Sequence, residues 1–227
     1  MRAGREGKKR KKSDARIAGK KASHNSHHIP PVTVGVMGSA GGRPTRKAYQ
    51  KVFRLGQEIA RRGFVLITGA CPGLPHESVR GAKSKGGVTI GISPALNFAE
   101  HMLKYKSPCV GYNSIIYTGS GLMGREIENI RSCDLVVFAG GRSGTLGEFA
   151  IAYDEAKVIG VLTGTGGITE NIDKIIEFIN KETGATVIYD DDPVRLLERL
   201  ITAYNREILP YYLTVVANAN PQGEMEP

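Results

Sequence analysis

Residues 135–148 read Leu-Val-Val-Phe-Ala-Gly-Gly-Arg-Ser-Gly-Thr-Leu-Gly-Glu, and the fold turns on this stretch. Leu135–Phe138 is an uninterrupted apolar run, which suits a central strand buried on both faces. Gly140, Gly141 and Gly144 then lead into a segment of helical period, Thr145–Ala156. Glycine tolerates φ > 0 and has no Cβ, so these three can bring backbone N–H groups towards one point. The helix that follows adds its own unpaired amides and the positive end of its dipole. Such a turn suits a phosphate, with Arg142, Ser143 and Thr145 as further donors. The competing reading is a plain strand-to-helix connection, which needs fewer glycines.

The same alternation extends in both directions. Strands are predicted at Val32–Met37, Phe64–Thr68, Val88–Ile92, Ser114–Thr118, Val158–Leu162 and Thr186–Tyr189. Between them, one helix opens near Pro44 with Ala48, Val52, Leu55 and Ile59 on its apolar face. A second runs to about Lys85, a short one lies around Phe98–Leu103, and another leaves the Gly119–Gly124 turn and ends near Ser132. A further helix buries Ile168, Ile172, Ile175, Ile176 and Ile179. The last opens at Asp192 and Pro193 with the stripe Leu197, Leu200, Ile201 and Tyr204.

Repeated strand-turn-helix units imply an α/β chain: a single Rossmann-like domain over 30–209, its mostly parallel sheet covered by helices on both faces. Ligands of such sheets bind at the carboxyl ends of the strands. Glycine clusters fall on that edge at Gly38–Gly42, Gly69–Gly73, Gly119–Gly124 and Gly140–Gly144. Gly38, Ser39, Gly119 and Gly121 therefore join the candidate ligand-binding residues. Residues 210–227 are expected to form an extended arm or tail.

Of the formal charge of +9, residues 1–28 hold +8, with ten Lys and Arg against Glu6 and Asp14. The globular body is nearly neutral, so basicity says nothing about the fold. The segment 1–29 has too few large apolar residues to order itself and reads as a disordered basic tail. It is either a solubilising leader or a nucleic-acid contact built on Lys8–Lys12. It lacks the apolar centre of a signal peptide, and no run approaches a membrane span of ~20 apolar residues. Cys71, Cys109 and Cys133 are odd in number and widely spaced, which argues against a disulfide framework or zinc site and fits a cytoplasmic setting. Cys133 is expected to pack as a small hydrophobe, and Cys71 has no visible base to activate it. His76 and His101 lack metal-ligand spacing, so no metal or cofactor is expected.

Neither Gly140–Gly144 nor Gly38–Gly42 has the Gly-x-Gly-x-x-Gly spacing, and no Gly-Lys-Ser/Thr phosphate loop occurs, which weighs against nicotinamide, flavin and ATP-hydrolysing functions. Two readings of Glu148 stand. With Thr145 three residues earlier it fits a capping box, its carboxylate bonding back to the cap residue. Alternatively it stands one turn above a bound phosphate and reaches the sugar, where a carboxylate could stabilise oxocarbenium-like charge. Arg125 starts a helix on the same edge, and its fork suits phosphate or carboxylate. Pairing with Glu126 or Glu128 is its bland alternative.

The stretch Leu122–Glu148, LMGREIENIRSCDLVVFAGGRSGTLGE, resembles the LONELY GUY-type proteins, long mislabelled lysine decarboxylases. Their hallmark is Pro-Gly-Gly-x-Gly-Thr-x-x-Glu, preceded by a Met-x-x-Arg-like segment. The likeness extends in weaker form from Val32 to about Ile179 and looks nearest to a bacterial and archaeal subgroup containing molybdenum-cofactor carrier-like members. It implies a phosphoribohydrolase, which splits a nucleoside 5′-monophosphate into base and ribose 5-phosphate. It also implies that Gly140, Gly141, Gly144 and Thr145 bind phosphate, that Glu148 acts on the ribose, that Arg125 shares the catalytic site, and that the chain pairs as a homodimer. Ala139 stands where the motif has Pro, Arg142-Ser143 lengthens the turn by one residue, Gly147 replaces an acidic residue, Pro75 a Met, and Glu126 a usual Lys. A carrier or sensor that holds a phosphorylated pterin or nucleotide intact is the alternative function. A nucleic-acid-binding protein of the DNA-processing type rests on the tail alone. No Lys stands out as a Schiff-base former, so the decarboxylase name has no support.

Overall fold

The computed structural model describes residues 29–220 and Gly223. The basic tail therefore lies outside the described residues.

Seven strands form one sheet: β1 (Thr33–Gly38), β2 (Val65–Thr68), β3 (Val88–Ser93), β4 (Ser114–Tyr117), β5 (Leu135–Ala139), β6 (Val158–Leu162) and β7 (Thr186–Asp190). Their order is β4-β3-β2-β1-β5-β6-β7, and every pairing is parallel. The chain winds outward from β1 to β4, then crosses back to β5 beside β1 and winds the other way. The strand order thus reverses between β1 and β5, and an open α/β sheet forms its ligand crevice at such a point.

The helices are α1 (Arg46–Arg61), α2 (Leu74–Lys83), α3 (Phe98–Leu103), α4 (Gly121–Arg131), α5 (Ser143–Asp154), α6 (Ile172–Ile179), α7 (Pro193–Glu207) and α8 (Leu209–Asn218). Strand β5 shows why two faces must be covered: all five of its residues are fully buried. Side chains alternate across a strand, so Leu135, Val137 and Ala139 pack with α1, α2 and α7, while Val136 and Phe138 pack with α5 and Ile172 of α6. Phe138 meets Phe149 of α5 edge-on at 5.7 Å.

Local chemistry sets the helix starts. The Thr45 hydroxyl accepts from the Ala48 amide, so α1 is capped one residue after Pro44. Asp192 accepts from the Val194 and Arg195 amides ahead of Pro193, as the sequence leads one to expect. Of the five isoleucines assigned to one helix, Ile168 lies in a 3₁₀ turn (Gly167–Glu170), and of those in α6 only Ile172 is fully buried. Residues 210–218 are helical rather than an extended arm. Ile208, Leu209 and Tyr212 pack against the core, and the Tyr212 hydroxyl donates to Asp134 Oδ1 at 2.8 Å. Among the described residues, no helix is long and apolar enough to cross a membrane.

Candidate functional site

Helix α5 begins at Ser143, two residues before its expected start. Its first regular hydrogen bond runs from the Leu146 amide to the Arg142 carbonyl at 2.9 Å. The amides of Ser143, Gly144 and Thr145 precede that bond and are the natural anion donors of the turn. Those of Gly140 and Gly141 are not. The Gly140 amide donates to Thr165 Oγ1 at 2.8 Å, and the Gly141 amide to Ser39 Oγ at 2.7 Å. The expected convergence of all the glycine amides is therefore corrected: these two brace the turn against β1 and the segment after β6. Gly141 is still required, because its φ is +101° and a Cβ there would stand 2.5 Å from that of Thr145.

Glu148 caps nothing. Residue Arg142 occupies the N-cap position without a side-chain cap bond, and the Glu148 carboxylate turns to α4 instead. Arg125 Nη1 donates to Glu148 Oε1 at 3.4 Å, and Asn129 Nδ2 donates to the same oxygen at 3.4 Å. Both Arg125 and Glu148 are 7% exposed. Arg125 lies flat on the β2–α2 turn, where a Cβ on Gly69 would fall 2.0 Å from its Nη1. Burial pushes the Glu148 carboxyl up to about 7, although Arg125 opposes the shift; the nearby Glu126 adds to it. Among the described residues, Arg125 Nε and Asn129 Oδ1 are buried side-chain polar atoms without a hydrogen-bond partner, and both belong to this cluster. Incomplete pairing and a displaced carboxyl at one spot single it out as the candidate site.

These groups line a cavity of about 720 Å³ at the reversal point of the sheet. Gly38, Ser39, Arg125, Arg142, Ser143, Gly144, Thr145 and Glu148 all reach its wall. A second cavity of similar size lies between α1 and α7, lined by Arg46, Lys51 and Arg54 among others, and none of the expected site residues borders it.

The sequence matches the SLOG cluster4 family over residues 31–197. The chain belongs to that family. An uncharacterised protein of Archaeoglobus fulgidus is 35% identical over 130 residues, which cover 57% of this chain and 78% of that protein. Among solved structures, the molybdenum cofactor binding protein of the phototrophic bacterium Rippkaea orientalis is 28% identical with a TM-score of 0.64, covering 78% of this chain and 99% of its own. The molybdenum cofactor carrier protein of Chlamydomonas reinhardtii is 26% identical with a TM-score of 0.60, over 75% and 99% of the two chains. The LONELY GUY-type resemblance read from Leu122–Glu148, near the carrier-like members, is borne out.

In this SLOG-family chain, not every residue marked in the sequence lies on the cavity wall. Gly119 and Gly121 stay off the cavity wall, and a Cβ on Gly119 would meet Leu96 instead. Cys71 reaches the wall, but burial pushes its thiol up to about 11, which disfavours the thiolate. His101 is fully buried, with Nδ1 on the Ser93 hydroxyl at 2.8 Å and Nε2 on the Pro108 carbonyl at 3.2 Å, a structural post. Sequence reasoning left out Gly69, Asn129, Lys104 and Tyr105. Asn129 carried a signal, since it stands four residues after Arg125 on the same helix face. Lys104 and Tyr105 carried none. Among the described residues, no group of three His, Cys, Asp or Glu could hold a metal ion.

Proposed function

We propose that the chain binds a nucleoside 5′-monophosphate-like ligand at the reversal point and hydrolyses its N-glycosidic bond. The phosphate sits on the amides of Ser143, Gly144 and Thr145, with Arg142 and the Ser39 hydroxyl beside it. The sugar then lies over Glu148. As the bond to the base lengthens, positive charge grows at the anomeric carbon, and an adjacent carboxylate stabilises it. Water adds its hydroxide to that carbon and its proton goes to the system of Glu148 and the departing base. A carboxyl near pH 7 is suited to such an exchange. The observation that carries the reading is Glu148 itself, a buried carboxylate on the cavity wall with no capping role. Purified protein incubated with nucleoside 5′-monophosphates should release free base, with a rate that rises as pH passes about 7 and Glu148 ionises. Glu148→Ala should lower that rate by roughly 10²-fold or more. Absence of free base from every nucleotide tried would reject hydrolysis.

A second reading, an intact-ligand carrier, is favoured by the likeness to the Rippkaea orientalis cofactor binding protein and by the hold of Arg125 and Asn129 on Glu148. Co-purification of one uncleaved phosphorylated pterin or nucleotide per chain supports it over hydrolysis.

The homodimer implied by the resemblance is part of the same proposal. Leu122 and Met123 of α4 are 56% and 81% exposed, and Leu122 also borders the cavity, so a second copy on this face would wall the site. Sedimentation should give twice the chain mass, and Met123→Glu should return it to one. The three unpaired cysteines support a reducing, cytoplasmic setting. Contact with nucleic acid is assigned to the tail, so removing residues 1–28 should abolish salt-sensitive DNA binding.

A further inference from the structure

The first turn of α5 already has a carboxylate lying against it. A Cβ built on Gly147 would stand 2.9 Å from Glu126 Oε2, and one on Gly144 3.3 Å from Glu126 Oε1. The carboxyl group of α4 therefore rests against the first turn of α5, where Gly144 and Gly147 have no side chain. Glu126 also borders the cavity. Its own helix gives it no cationic partner: Arg125 turns to Glu148, Arg131 pairs with Glu155 at 2.7 Å, and Glu128 accepts from the Ser120 hydroxyl at 2.8 Å.

We propose that Glu126 competes with the ligand's anionic group for the start of α5, so that an oxyanion binds there with uptake of a proton by this carboxylate. The inference rests on the anion site proposed above and deepens it. Two negative groups a few ångströms apart repel strongly in a half-buried cleft, and the repulsion ends when one is neutral. Burial raises the Glu126 carboxyl above its ordinary value, with Arg125 opposing. The consequence is selectivity: the site disfavours fully ionised phosphate at alkaline pH and favours a singly charged oxyanion, or the same group in acid.

Other charges face Glu126 and must be separated from it. Glu148 of α5 is pushed up to about 7, Arg125 pairs with Glu148, Arg142 precedes α5, and Lys104 beyond α3 borders the same cavity but pairs with Glu100. A phosphate ester also titrates near pH 6, which would obscure the linkage. Inorganic sulfate keeps a fixed charge and avoids this.

The test is a sulfate titration of the full chain and of Glu126→Gln, followed by the backbone amide resonances of Gly144 and Thr145 at pH 5 and pH 8. The variant's advantage over wild-type in binding sulfate should be smaller at pH 5 than at pH 8. At pH 8 the variant should bind at least about ten-fold more tightly, a difference equivalent to one unit of linked pKa. Glu126 itself shifts Glu148, so the comparison is repeated in a Glu148→Gln background, where that titration is absent from both proteins. A ratio that stays near one at both pH values, with sulfate bound, overturns the role of Glu126 and leaves the anion site standing. Failure of sulfate to move these resonances in either protein overturns the anion site and this inference together. Intact amide dispersion in the variant spectrum shows that it is folded.

Discussion

Arg125 and Glu148 form a buried pair whose worth depends on protonation. Taking a charged partner from a buried ion pair costs about 3–5 kcal/mol, because the remaining charge stays uncompensated. Glu148 can avoid that cost by binding a proton. Its folded value of about 7 lies above the ordinary 4.5, so the folded state holds the proton more tightly than the unfolded chain. Its contribution to stability is full in acid and declines as pH rises through that range. Without Arg125 the carboxyl would move higher still. Arg125→Met should therefore melt only slightly below wild-type at pH 5.5, and the gap should widen steadily to pH 8.5. A gap that is constant or narrows with pH contradicts the pairing. The residues that make this pair were legible in the sequence, but their pairing was not. Thr145 and Glu148 have capping-box spacing, and only the start of α5 at Ser143 and the approach of α4 remove that reading. Gly69 stood out as a glycine, yet its reason is the Arg125 side chain lying on it, some 56 residues later in sequence.

At the scale of elements, the turn from β7 into α7 is held by charge. Asp190 is fixed by Arg195 through Nε at 2.7 Å and Nη2 at 2.6 Å, and Arg199 adds a contact at 3.4 Å. These bonds, Arg195 first, hold its carboxyl down to about 2, below the ordinary 3.8. A depressed carboxyl stabilises the fold above 3.8, and that contribution is lost as pH falls through about 2. Asp190→Asn should lower the melting temperature at pH 7, and the difference from wild-type should close between pH 4 and pH 2. An equal penalty at both ends would mean that the side chain acts by packing alone. Elements were the most legible level of this molecule. All seven strands were marked by short, largely apolar runs, because the central strands of a parallel sheet are covered on both faces. Boundaries were set by interactions that propensity does not contain. Helix α5 starts early because Ser39 and Thr165 tie the glycine turn, and α8 forms because the exit of α7 carries Tyr212 to Asp134.

For the whole molecule, the strand order explains why one edge collects the chemistry. Strands β1 and β5 lie side by side, and their following turns lead to helices on opposite faces of the sheet, which opens the crevice between them. The glycine turn after β2 reaches the same crevice, whereas Gly119 and Gly121 after β4, at the sheet's edge, stay off its wall. This is why Gly119 and Gly121 looked equivalent to Gly38 in the sequence and are not. The cavity between α1 and α7 is the rival place for a ligand, with Arg46, Lys51 and Arg54 on its wall beside Glu77, Asp191 and Asp192; Lys51 donates to the Thr163 carbonyl at 2.8 Å and Arg54 pairs with Asp192 at 3.4 Å. The two can be told apart with ribose 5-phosphate, which carries the phosphate and the sugar but no N-glycosidic bond to cut. Added to the isotopically labelled chain, it should shift the backbone amides of Ser143, Gly144 and Thr145 and leave Arg46, Lys51 and Arg54 in place. Shifts confined to α1 and α7, with the start of α5 unmoved, would contradict the account.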